Sequence, residues 1–274
     1  MPFAKYKEYA VEYMMEGRGS ALVLVHGTAQ TAASSWLRIL PQLKKDFQVL
    51  CPHYSGSGKT TMGKEPLTLS LLAEQVLAAA DDAGLHEFDV LGHSLGTCVA
   101  MQLAAEHPDR VRRLILLGGF SNTRDTRMQM QFGMWRELAR TQPGLLAELF
   151  MYSAYSPAFF KRFSEEQVRR FITYIRKNTN WEGAAMQIDL DMRIDMGPDL
   201  TRVTQPTLVV GCKQDFIVPV SHAMELAVLI PDSTYAELDA GHVGADECPE
   251  EFIGMIRNFL LPCQSGENSG SFSS

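Results

Sequence analysis

Asp89-Val90-Leu91-Gly92-His93-Ser94-Leu95-Gly96 joins a short apolar run, Phe88 to Leu91, to a segment in which Val99, Leu103 and the neighbouring alanines keep helical spacing. His107-Pro108 stops that helix. Inside the junction, Gly92-x-Ser94-x-Gly96 sets a serine between two residues without side chains. A strand turning directly into a helix forces its central residue into a strained backbone conformation, and small flanking residues keep neighbouring chains from clashing with it. The Ser94 hydroxyl is thereby lifted at a sheet edge and a helix N-terminus, which makes it a candidate nucleophile.

Outward from this junction the pattern repeats. Ala21 to Val25, Phe47 to Cys51, Arg113 to Leu117 and Thr207 to Val210 are continuous apolar runs, the mark of strands buried on both faces. Helical spacing at Leu69, Leu72, Val76 and Ala80, behind a Thr68 cap, separates two of them. Strands alternating with helices predict an α/β fold with a mostly parallel, doubly wound sheet. Alternation from Tyr6 to Met15, closed by Gly17-Arg18-Gly19, predicts an opening pair of short strands. From Phe120 to Gly197 the rhythm gives way to helices alone, for instance Met128 to Arg140 and Glu165 to Lys177. The expected organisation is a core of residues 1–119 and 198–262, a helical lid of residues 120–197 over the sheet's end, and a Ser/Gly-rich disordered tail of residues 263–274.

A serine hydroxyl needs a base in hydrogen-bond reach, itself oriented by a carboxylate. Asp215 follows the strand Leu208-Val209-Val210, and His242 follows the short strand Tyr235 to Leu238. Functional groups collect in loops at the carboxyl ends of such strands. In its order Ser94, Asp215, His242 and in its strand contexts, the chain resembles the α/β-hydrolases from about Val23 to Leu260. The resemblance implies a catalytic set of Ser94, Asp215 and His242. It also implies an oxyanion hole made by the N–H of Thr28, after the turn His26-Gly27, and the N–H of Leu95. Asp125 is a rival for the acid, since some members of the family place it after the preceding strand. His93 is expected to point away from Ser94, His26 to hydrogen-bond within its own turn, and Asp189, Asp191 and Asp195 to lie on a solvated face.

Ser55-Gly56-Ser57-Gly58-Lys59-Thr60-Thr61 imitates a phosphate-binding loop, but His53 stands where the pattern needs its first glycine, and no helix begins at once. In the hydrolase reading, Gly56, Gly58 and Thr60 match a loop that the family carries after its strand, at the active-site rim, with Lys59 solvated. A net charge of −7 without a Lys/Arg stripe argues against a nucleic-acid partner. No apolar stretch has the length of a membrane span, and the start lacks a signal-peptide pattern, so a cytoplasmic location is expected. Cys51, Cys98, Cys212, Cys248 and Cys263 are scattered without a CxxC pair and read as free thiols. Neither metal nor organic cofactor is required.

Residues 120–197 hold seven of the fourteen methionines and twelve of the twenty-five aromatics, which favours a hydrophobic acyl or aromatic substrate over a sugar or peptide. Phe120, Phe132, Trp135, Phe150, Met151 and Trp181 are the candidate pocket residues. The expected reaction is cleavage of a small hydrophobic ester or thioester through an acyl-enzyme. A carbon-carbon bond hydrolase of the same family and a ligand-binding receptor with little turnover are the alternatives.

Overall fold

The computed structural model describes residues 1–261. Two antiparallel strands, β1 (Phe3–Tyr6) and β2 (Tyr9–Gly17), lead into β3 (Ser20–Val25), β4 (Phe47–Pro52), β5 (Phe88–His93), β6 (Val111–Leu117), β7 (Thr207–Cys212) and β8 (Ser233–Leu238). They form one eight-stranded sheet in the order β1-β2-β4-β3-β5-β6-β7-β8, parallel from β4 onward. The opening pair starts earlier than its alternation indicates, because Lys7 at φ 50 turns the chain after Tyr6.

Continuous apolar strands imply cover on both faces, and the side chains divide accordingly. Val23, Val25, Val90, Leu114, Leu116 and Val209 join one buried cluster, while Leu22, Leu24, Leu91, Ile115, Leu117 and Val210 join the other. On the first face lie α1 (Leu69–Asp82), whose Thr68 hydroxyl accepts the Leu71 N–H, and α2 (Leu95–Glu106). Between β6 and β7 come α3 (Thr126–Thr141), α4 (Pro143–Ala154), α5 (Glu165–Asn178) and α6 (Trp181–Asp191). After β7, α7 (Val220–Leu229) packs on the first face. On the second face, α8 (Pro249–Leu260) packs beside Trp36, Ile39 and Leu43. Among the described residues no helix is long and apolar enough to cross a membrane.

The register sets the strand ends along one edge. Val25 pairs with Gly92, His93 with Leu117, Leu117 with Val210 and Cys212 with Leu238. The strands following β3 in the chain lie on its opposite sides, β4 on one and β5 on the other, so a crevice opens at the carboxyl ends of β3 and β5. The expected tail of residues 263–274 lies outside the described residues. Cys51, Cys98 and Cys212 are buried free thiols and Cys248 is a half-buried one.

Candidate active site

Ser94 stands at the junction of β5 and α2 with φ 54 and ψ −124. That conformation is rare for a residue with a side chain and costs of order 1–3 kcal/mol. The tight turn has room only because the residues two positions to either side are glycine: a Cβ at Gly92 would lie 2.4 Å from the Gly96 carbonyl oxygen, and one at Gly96 would lie 2.2 Å from that of Val25. The Ser94 N–H donates to Leu117 O at 3.0 Å, tying the turn to β6. Its hydroxyl caps no helix amide, and the residue is half-buried at a cavity.

His242, in the loop after β8, lines the same cavity. Its Nδ1–H donates to Asp215 Oδ2 at 2.7 Å, and the two side chains are 6% and 0% exposed. The other oxygen of Asp215 accepts the N–H groups of Ile217 and Val218, each at 2.8 Å. The carboxylate is therefore aimed, and the bond to Nδ1 leaves Nε2 of the imidazole as the free base. Asp125 sits elsewhere: it caps α3 by accepting the Met128 N–H at 2.9 Å and faces His222 at 3.3 Å.

His93 is 3% exposed, and burial pushes its imidazole down to about 3. Its Nε2–H donates to the His242 carbonyl oxygen at 2.9 Å, and the two rings lie 4.7 Å apart. It holds the loop of the candidate base, a role that the sequence could not reveal. His26 donates from Nδ1 to Gly27 O at 2.9 Å within its own turn, as expected.

Thr28 lines the cavity, and neither its N–H nor that of Leu95, first residue of α2, is taken up by another group among the described residues. The turn around Thr28 is held from α6. Ala29 N–H donates to Gln187 Oε1 at 2.8 Å, and the Thr28 hydroxyl donates to Asp191 Oδ2 at 2.7 Å. Asp191 therefore does not lie on a solvated face: it is 1% exposed, because the last turn of α6 packs inward against the loop after β3. Asp189 and Asp195 do reach the surface, paired with Arg140 and Arg124.

The cavity measures about 680 Å³. Phe132, Trp135, Phe150 and Met151 line it, with Phe171 and Ile175 from α5. Phe120 and Trp181 do not. Phe120 is 1% exposed and packs behind Phe132 at 6.5 Å, whereas Trp181 stacks behind Phe150 at 6.5 Å and donates its indole N–H to Arg176 O. Aromatic count locates such a wall but cannot separate its front layer from its back.

The Gly-rich loop is spoken for by the protein itself. Lys59 N–H donates to Glu12 Oε2 at 2.8 Å, Ser55 N–H to Gln75 Oε1 at 2.8 Å and Thr61 N–H to Ala10 O at 3.1 Å, while Lys59 is exposed. A cradle for phosphate would need those amides free. Glu74, Glu106 and His107 bring possible metal-ligand atoms within 4.8 Å of one another, at the opposite end of α2 from Ser94. They already bond to each other and to neighbours, His107 to Glu74 at 2.6 Å and Ser70 to Glu106 at 2.6 Å.

Over 257 residues the chain is 41% identical to pyrrolizixenacetamide deacetylase of Xenorhabdus hominickii, a match covering 94% of this chain and 97% of that protein. The crystal structure of a hydrolase from Pseudomonas aeruginosa PA01 is similar with a TM-score of 0.85 at 27% identity, covering 94% and 97% of the two chains. The enol-lactonase from Burkholderia xenovorans LB400 is similar in fold, with a TM-score of 0.85 at 24% identity over 95% and 100%. Residues 20–249 match the family described as alpha/beta hydrolase fold, and with the strand order and the strained serine turn already in place, the chain belongs to that family.

Proposed function

We propose that this protein is a serine hydrolase that removes a small acyl group from a hydrophobic amide or ester. The observation that carries the reading is the His242–Asp215 bond, desolvated and fixed by two backbone amides, beside the same cavity as a strained and uncapped Ser94. In this reading Ser94 Oγ attacks the carbonyl carbon while His242 Nε2 takes its proton, and Asp215 stabilises the imidazolium that results. The N–H groups of Thr28 and Leu95 receive the negative charge on the carbonyl oxygen. His242 then returns the proton to the leaving nitrogen or oxygen as the C–N or C–O bond breaks. Water, activated by the same imidazole, hydrolyses the acyl-enzyme and frees the acid. The helices between β6 and β7 act as a lid in this scheme, since they supply the apolar wall.

The likeness to a deacetylase favours an acetamide over the ester or thioester expected from the residues alone. The machinery is the same for each, because all pass through an acyl-serine. The test is a panel of aryl acetamides, aryl acetates of rising acyl length and acyl thioesters, run beside fluorophosphonate labelling read by intact mass. A single adduct on Ser94, absent from Ser94→Ala, and turnover of the shortest acyl chains are the expected results. Folded protein that takes no label would remove the serine-hydrolase reading.

A further inference from the structure

Gln187 and Asp191 stand one helical turn apart on α6, so both project from the same face toward the loop after β3. They bind consecutive residues of that loop, Gln187 at the Ala29 N–H and Asp191 at the Thr28 hydroxyl. The loop needs holding: Ala29 lies at φ 59, in the left-handed region that a side chain disfavours. Gln187 cannot turn away, since its amide group also donates to Ser55 O at 3.1 Å and to Ser57 Oγ at 3.0 Å.

Asp191 is the costlier partner. Among the described residues, its Oδ1 is buried without a hydrogen-bond partner and no Lys, Arg or His pairs with the carboxylate. The titratable groups that it faces are Tyr54, after β4, and Cys98, on α2, and burial raises both, so each stays neutral at neutral pH. Burial also pushes the Asp191 carboxyl up to about 7. A carboxyl placed so expensively, with one bond to a cavity residue, is not explained by packing.

We infer that Asp191 is a positioning residue for the oxyanion turn, fixing through the Thr28 hydroxyl the direction of the Thr28 N–H. This inference rests on the acyl-transfer reading. An amide that meets only the developing oxyanion contributes to kcat and little to KM, so the consequences of disturbing its support are kinetic.

The test compares wild type, Asp191→Leu, Asp191→Asn, Thr28→Val and the Thr28→Val/Asp191→Leu pair on one aryl acetate, with fluorophosphonate labelling and Tm measured in parallel. Asp191→Leu is expected to lower kcat about tenfold or more, less than outright loss of a donor, which costs about 10²- to 10³-fold. KM should stay within about twofold, because the interaction being weakened is the one that the Thr28 N–H makes with the developing oxyanion. Asp191→Asn should recover most of the loss, its amide oxygen accepting the same hydroxyl. Thr28→Val should match Asp191→Leu, and the pair should be no worse than either, since both remove one bond.

If Asp191→Leu does not fold, Thr28→Val and Asp191→Asn still decide: wild-type kcat in Thr28→Val, or an Asp191→Asn as impaired as Thr28→Val, overturns the inference. So does a loss confined to KM, or additive losses in the pair. A wild type with neither turnover nor label overturns the acyl-transfer reading and this inference with it. A labelled, active wild type with an unaffected Asp191→Leu overturns this inference alone.

Discussion

Asp215 owes its aim to two amides and its partner to one bond, and the proposed chemistry can be tested there with the smallest change. Asp215→Asn keeps the shape and the Ile217 and Val218 contacts but places an amide against His242 Nδ1, favouring the wrong tautomer of the imidazole. A fall in kcat of about 10³- to 10⁴-fold is expected on the scale of other serine triads. Asp125→Asn should leave kcat unchanged, because asparagine caps α3 as well as aspartate does. The reverse outcome, an active Asp215→Asn and an inactive Asp125→Asn, would move the acid's role to Asp125. The sequence points to Ser94, Asp215 and His242 as candidates because each lies just past a strand, the first two past buried apolar ones, where local pattern and topology agree. It does not reveal Asp191, whose partner stands 163 residues away and whose burial depends on how α6 lands. A charged residue in a helix looks alike on either face until its neighbours are known.

At the scale of elements, the glycine loop and α6 explain each other. Gly56 lies at φ 96, and a Cβ there would come within 2.7 Å of Gln187 Nε2 and 2.9 Å of Gly183 O. From the other side, a Cβ on Gly183 would come within 2.3 Å of Gly56 Cα. The two backbones touch, so the glycines that imitate a phosphate loop let the helix approach closely enough for Gln187 to reach Ser55, Ser57 and Ala29. Gly56→Ala should therefore destabilise the protein by about 1–3 kcal/mol, through both strain and clash. It should also lower kcat, because the support of the proposed oxyanion turn moves with α6. Lys59→Ala, at an exposed position, should do neither. Thermal melts and turnover on the same two variants check this, and a Gly56→Ala with wild-type Tm would show that the contact is slack. The strand pattern, the Thr68 cap and the helical stretch after β6 are readable because each follows from local periodicity. The docking of α6 is not, because it is set by the absence of two side chains in distant segments.

For the whole molecule, three buried titratable groups set an opposing pH dependence of stability. Burial pushes His26 and His93 down to about 3, from an ordinary 6.5. The unfolded chain therefore binds two more protons than the native state between those values, and stability falls as pH drops through the window. Asp191 works the other way: its carboxyl holds a proton up to about 7 when folded but only to 3.8 when unfolded, so acidification between 7 and 3.8 favours the native state. From these groups, the expected net loss between pH 6.5 and 4 is one proton's worth, about 1.4 kcal/mol per pH unit. Asp191→Asn removes the compensating group. That variant should be more stable than wild type at pH 8, where the native chain carries an uncompensated buried charge, and should lose stability about twice as steeply on acidification. Denaturant midpoints from pH 8 to 4 measure both slopes. Parallel curves would mean that Asp191 does not titrate in this range, and a flat wild-type curve would mean that His26 and His93 accept protons without disturbing the site that they pack beneath.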